Sequence, residues 1–219
     1  MAAVTMIYYM DVMSSWCTYS EPAIDEVRKR FGDDLAFEWR IAAIKGGQPP
    51  GYTQEAMRWW YERSGSMSGT KLNAAWLISP EGTWWPNLAA EAARSLGHTD
   101  DTVRRALAKA ALIDGRPIQQ RPVAEDVATG AAGLSPERLR AAMDDPAVVA
   151  RIHATIAEFR ELPCTMVPTF LISNEIGDVN MLSGAYRAEH LGACIEQLRA
   201  DVRGYQAFGK AHPPPPGVS

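Results

Sequence analysis

The sequence predicts an α/β fold in which a β-α-β unit at the start and a β-β-α unit at the end flank an all-helical insertion. Three observations carry this. Convincing apolar runs of strand length lie towards the two ends, at residues 4–10, 35–44, 167–172 and 179–182. Helical signals fill the stretch between. The first two runs are joined by a single helix, which implies parallel strands and a right-handed crossover. The 219 residues therefore divide into a core (1–44 and 164–206), a helical insertion (45–163) and a Pro-rich tail (207–219).

Strand one, residues 4–10, is apolar on both faces apart from Thr5, as a central strand is. Helix one, residues 15–31, repeats Ala23, Ile24, Val27 and Phe31 at helical spacing, and Gly32 ends it. Strand two follows at 35–44. Lys45-Gly-Gly-Gln48-Pro49-Pro50-Gly51 can only be loop. The insertion then reads as six helices: 53–63 with Thr53 as cap, one opened at Pro86, 102–113, 122–131, a short one at Ser135-Pro136, and one from Asp145-Pro146 to Leu162. Strand three has Pro168 at its entrance. A turn at 174–178 implies that strand four is antiparallel to it. The last helix spans 187–203, with Leu191, Cys194, Ile195, Leu198 and Val202 on its apolar face.

The net charge of −4 and the lack of a basic stripe disfavour a nucleic-acid surface. No apolar run reaches the ~18–20 residues a membrane helix needs. The first ten residues lack a basic n-region, so the cytoplasm is the expected compartment. His98, His153, His190 and His212 are scattered, and no His/Cys spacing suggests a metal. Cys17, Cys164 and Cys194 are the only cysteines, none spaced as Cys-x-x-Cys, and read as free thiols. A Cys17–Cys164 pair would be a non-standard redox couple.

The chemistry concentrates in Asp11-Val12-Met13-Ser14-Ser15-Trp16-Cys17, a strand-to-helix turn. The first N–H groups of the helix have no intrahelical partner, and the dipole adds roughly half a positive charge there. A thiolate at this spot is stabilised. The first position is a serine, whose hydroxyl is too weakly acidic to become a nucleophile here. Ser14 can cap the helix, or donate a hydrogen bond to a thiolate brought by another molecule. Cys17 lies one turn inward. Trp59-Trp60-Tyr61 and Trp84-Trp85 in the insertion either line a cleft against the core or pack helices or a dimer surface.

This element order resembles a thioredoxin-like core with an inserted helical subdomain. Val167-Pro168-Thr169-Phe170 looks like the V-P-x-F segment of the DsbA family, and Leu112-Ile113-Asp114-Gly115-Arg116-Pro117-Ile118 is similar to the segment between that family's insert helices. Within the family, Trp16-Cys17 and Ser183-Gly184-Ala185 resemble FrnE-like oxidoreductases. Asp11-Val12-Met13-Ser14 and the Lys45–Pro50 loop, including Gln48, resemble kappa-class glutathione transferases and 2-hydroxychromene-2-carboxylate isomerases.

The kappa resemblance implies a cis-proline at Pro168. It implies Ser14 on the sulfur of glutathione or another low-molecular-weight thiol, and Val167 on that ligand's backbone. Ser15, Trp16, Gln48, Ser183 and Gly184 would complete the cofactor site. On our own reading of the residues, Asp11, Trp59, Trp60, Trp84 and Trp85 would border an electrophilic, possibly aromatic, small-molecule substrate. Ser14 and Cys17 are the catalytic candidates, and a homodimer is possible by analogy. There are departures. Ser15 replaces a proline, Ala56 stands where a lysine is expected, so that contact is either missing or moved to Arg58 or Lys71, and Gly184 replaces an acid; two charged anchors for glutathione are thus absent from their expected places. Two other readings stay open. One is a FrnE-like oxidoreductase working through a single cysteine; the other is a non-catalytic ligand-binding member.

Overall fold

The computed structural model describes residues 3–49, 51–75, 81–184 and 187–213. Pro50, Ala185 and residues 214–219 lie outside these. Four strands, β1 (Val4–Met10), β2 (Leu35–Ile41), β3 (Thr169–Asn174) and β4 (Val179–Ser183), form one sheet in the order β2-β1-β3-β4. β1 pairs parallel with β2 and antiparallel with β3, and β3 pairs antiparallel with β4. Eight α-helices accompany them among the described residues: α1 (Ser15–Phe31), α2 (Gln54–Ser68), α3 (Trp84–Ser95), α4 (Thr102–Leu112), α5 (Arg121–Ala132), α6 (Pro136–Met143), α7 (Pro146–Glu161) and α8 (Ala188–Ala211).

The central place of β1 follows from its two apolar faces. Consecutive side chains of a strand point to opposite faces. Tyr8 stacks on Phe170 at 5.1 Å, and its hydroxyl reaches the Cys17 carbonyl of α1. Tyr9 packs against Phe159 of α7 at 5.5 Å. The sheet is thus covered by α1 on one face and α7 on the other, and α8 packs beside α1.

Several boundaries differ from the sequence expectation. β2 stops at Ile41 rather than Ile44, because Lys45 and Gly46 take left-handed conformations in a tight 3-10 turn. α2 runs to Ser68 rather than Arg63, ended by left-handed Gly69. β3 starts at Thr169, since the proline at 168 removes a ladder donor. α8 continues to Ala211, so residues 207–211 are helix and not tail. Pro86 stands third in α3, not first.

The helical unit is tied to α1 by ion pairs. The Arg104 side chain of α4 is 1% exposed and bonds both Glu21 of α1 and Asp101. Arg105 pairs with Asp25 at 2.6 Å, and Arg28 pairs with Asp101. Removing one partner of a buried pair leaves an uncompensated charge, which costs about 3–5 kcal/mol. Arg104→Ala should therefore destabilise the chain by about that amount in urea unfolding, whereas the exposed Lys109–Asp114 pair should contribute under about 1 kcal/mol when Lys109 is truncated.

Candidate functional site

The opening turn is built on Asp11. This carboxylate is wholly buried and accepts from three elements: Met13 N–H at 2.8 Å, Ile44 N–H at 2.8 Å and the Thr83 hydroxyl at 2.6 Å. Asn87, one turn along α3, accepts from Val12 N–H at 3.0 Å. Tyr61 of α2 donates its hydroxyl to the Met13 carbonyl. The turn is thus held by its own backbone, the β2–α2 loop, α2 and α3. Asp11, expected to border a substrate cleft, is instead fully buried. It is an internal clamp. Tyr61 is visible in the sequence only as part of an aromatic run, and Thr83 and Asn87 carry no signal beyond i, i+4 spacing.

Ser14 is the N-cap of α1. Its backbone is extended, and its Oγ accepts from Cys17 N–H at 3.3 Å. Cys17 is 2% exposed, and burial pushes its thiol up to about 12, against the weaker opposing effect of the Ser14 hydroxyl. A thiol that hard to ionise is a poor nucleophile at neutral pH. Cys17 is therefore buried beneath the turn, where it is poorly placed to act as the nucleophile that the sequence left open. Cys194 is also buried and its thiol raised, again by desolvation. Cys164 is half-buried, with its sulfur 3.7 Å from Thr169 Oγ1.

The sheet register brings the second half of the site alongside. Tyr9 pairs with Thr169, so the residues leaving β1 lie beside those entering β3. The Val167–Pro168 peptide is cis. The Pro168 carbonyl accepts from Gly184 N–H at 2.8 Å. Thr169 Oγ1 donates to the Met166 carbonyl at 2.7 Å and lies 2.9 Å from Ser183 Oγ. Ser183 and Gly184 therefore brace the Pro168 segment from β4. Gln48 is exposed and ends the 44–47 turn, which is pressed against Gly82 so closely that a Cβ there would lie 2.0 Å from the Gly47 carbonyl oxygen.

The tryptophans divide. Trp84 stacks on His153 of α7 at 5.2 Å, and Arg121 of α5 lies over Trp85 at 5.1 Å. Both rings pack within the helical unit rather than lining a cleft with Trp59 and Trp60. Those two are 53% and 44% exposed on α2, with Arg63 over both. Trp16 is half-buried and meets Tyr19 edge-on at 6.2 Å. Beside the turn, a groove of about 340 Å³ runs between α1, residues 68–72 and the start of α8. Among the described residues no His, Cys, Asp and Glu cluster could hold a metal, and no helix is long and apolar enough to cross a membrane.

A four-stranded sheet carrying a helix N-terminus and a proline-led strand at one end, with helices inserted after the β-α-β unit, defines a thioredoxin-like domain of DsbA architecture. The chain belongs to the DSBA-like thioredoxin domain family, which it matches over residues 5–196. No curated protein matches it. Among solved structures it is similar to a probable DsbA oxidoreductase from Streptomyces coelicolor, at 19% identity over 90% of both chains and a TM-score of 0.70. It is also similar to the cytosolic disulfide reductase DsbM of Pseudomonas aeruginosa, at 19% identity over 93% of this chain and 99% of that one, with a TM-score of 0.67. Wolbachia pipientis alpha-DsbA1 is 11% identical over 94% and 90%, with a TM-score of 0.64.

Burial raises the Asp11 carboxyl above its ordinary value, despite the hydrogen bonds that lower it. The folded chain therefore holds this proton more tightly than the unfolded chain, where the pKa is about 4. Stability from this group is greatest below that pH and is lost as pH rises through the folded value. The wild type should lose stability relative to Asp11→Asn as pH rises from about 4 towards neutrality, measured as the difference between their urea unfolding free energies. A pH-independent difference would show that the carboxyl is not raised.

Proposed function

We propose that this chain uses a thiol it does not own. The observation that carries the reading is the pairing of Ser14 at the α1 N-cap with a Cys17 that is buried and held at about 12. The end of the turn that favours a thiolate has a hydroxyl and no sulfur. A low-molecular-weight thiol placed there receives a hydrogen bond from the Ser14 hydroxyl and the field of the helix N-terminus. Its pKa falls, and the fraction present as nucleophile at neutral pH rises. The extended part of the ligand runs past Val167, whose N–H and C=O make no hydrogen bond within the protein among the described residues. That is the arrangement of an added strand.

The activated thiolate adds to an electrophilic small molecule. Transfer follows if the adduct leaves; isomerisation follows if bond rotation and elimination return the thiol. The half-exposed Trp59 and Trp60 supply an apolar face for an aromatic substrate. The P. aeruginosa reductase has been solved with GSH, which supports a thiol ligand on this architecture. Burial of Cys17 weighs against a single-cysteine oxidoreductase.

Two measurements test the reading. Titration of low-molecular-weight thiols against tryptophan fluorescence should show saturable binding, and Ser14→Ala should weaken it by about tenfold, as loss of a hydrogen bond to a charged group does. Absence of binding for every thiol at millimolar concentration overturns it. Conversely, Ser14→Cys puts a second sulfur one helical turn from Cys17. It should gain dithiol-dependent disulfide reduction that the wild type lacks, and equal activity in the two proteins would refute the assignment of Ser14.

A further inference from the structure

The groove beside α1 has a chemistry that the turn alone does not explain. Its volume of about 340 Å³ is at the small end of ligand sites. Ser15, next to Ser14, lines it. This residue is 8% exposed, and its hydroxyl has no hydrogen-bond partner among the described residues. Thr18, Tyr19, Ser68 and Thr70 bring four more hydroxyls to the same groove. Pro22, also on its wall, lies inside α1 and removes the N–H that would pair with the Thr18 carbonyl.

The charged groups point the same way. Arg187 faces the groove at the start of α8, a helix that begins without a side-chain cap. Glu26 and Glu189 face it as well, and none of the three forms an ion pair among the described residues. Two carboxylates against one guanidinium do not suit a peptide thiol that carries two carboxylates of its own. Ala56 and Gly184, in place of a base and an acid, fit that mismatch. Ligand hydroxyls suit the groove better, because each can both donate and accept. They would donate to Glu26, Glu189 and the Thr18 carbonyl, and accept from Ser15, Arg187 and the α8 N–H groups.

We propose that this groove holds the polyhydroxylated part of a sugar-linked thiol whose sulfur reaches the N-terminus of α1. The inference rests on the thiol-dependent function above and names the ligand class of that site.

The test compares 1-thio-β-D-glucose, D-glucose, glutathione and 2-mercaptoethanol by calorimetry on the full chain. Thioglucose should bind about tenfold tighter than 2-mercaptoethanol, and D-glucose should compete with it. Ser15→Ala and Glu189→Gln should each weaken thioglucose by about fivefold, and Glu189→Gln should leave 2-mercaptoethanol unchanged. Glu189 is exposed, so its variant folds even if Ser15→Ala does not. Tighter binding of glutathione than of thioglucose, or indifference of thioglucose to a folded variant, overturns the assignment. If 2-mercaptoethanol and glutathione bind while thioglucose gains nothing, the groove assignment alone falls. If no thiol binds, it falls together with the proposed function.

Discussion

The structure depends on one buried carboxylate. The charge of Asp11 is met by neutral donors from its own turn, from the loop after β2 and from the residue before α3. A buried carboxylate without such donors would cost far more than a fold of this size can spare. The donors come from residues 13, 44 and 83, so the position of the α1 N-terminus is tied to the seating of the helical unit. The site is shaped by this constraint before any ligand arrives. Its price is an unfavourable field, because a negative charge at Asp11 opposes a thiolate nearby, as it does for Cys17.

That opposition clarifies the two ends of the turn. At Cys17 the sulfur meets desolvation first and the Asp11 charge in addition, while the backbone N–H of the residue is already spent on Ser14. At the α1 N-cap the helix dipole works in the other direction. One turn of helix thus separates a buried place that keeps a thiol protonated from a helix N-terminus whose dipole favours an anion. The chain keeps its own sulfur in the first and a hydroxyl in the second.

Much of this was legible in the residues. Strand periodicity and the helix punctuation at Thr53, Gly32 and Ser135 located the elements, because caps and glycines act locally. The turn and the Pro168 segment stood out because serine, cysteine and proline at those places have few structural roles. What stayed hidden depends on distance. Asp11 looked like a cleft residue because nothing in its own neighbourhood shows that Thr83 comes to meet it. Trp84 and Trp85 looked like a wall because a sequence does not show His153 and Arg121 closing over them. The groove at α1 was unreadable for the same reason, since Ser15, Thr70 and Arg187 come from three separate parts of the chain.

The strand order has a consequence for how the chain is made. β1 lies between β2 and β3, yet β3 begins at residue 169. During vectorial synthesis, β1 and β2 can pair early, but the other edge of β1 stays open while the whole helical unit is produced. An open apolar edge is a template for pairing with another chain. The helical unit, already clamped to α1 through Arg104, can shield one face of that incomplete sheet but cannot supply the missing strand. The unpaired edge of β1 therefore stays open to other chains until late in translation, when the proline-led strand emerges.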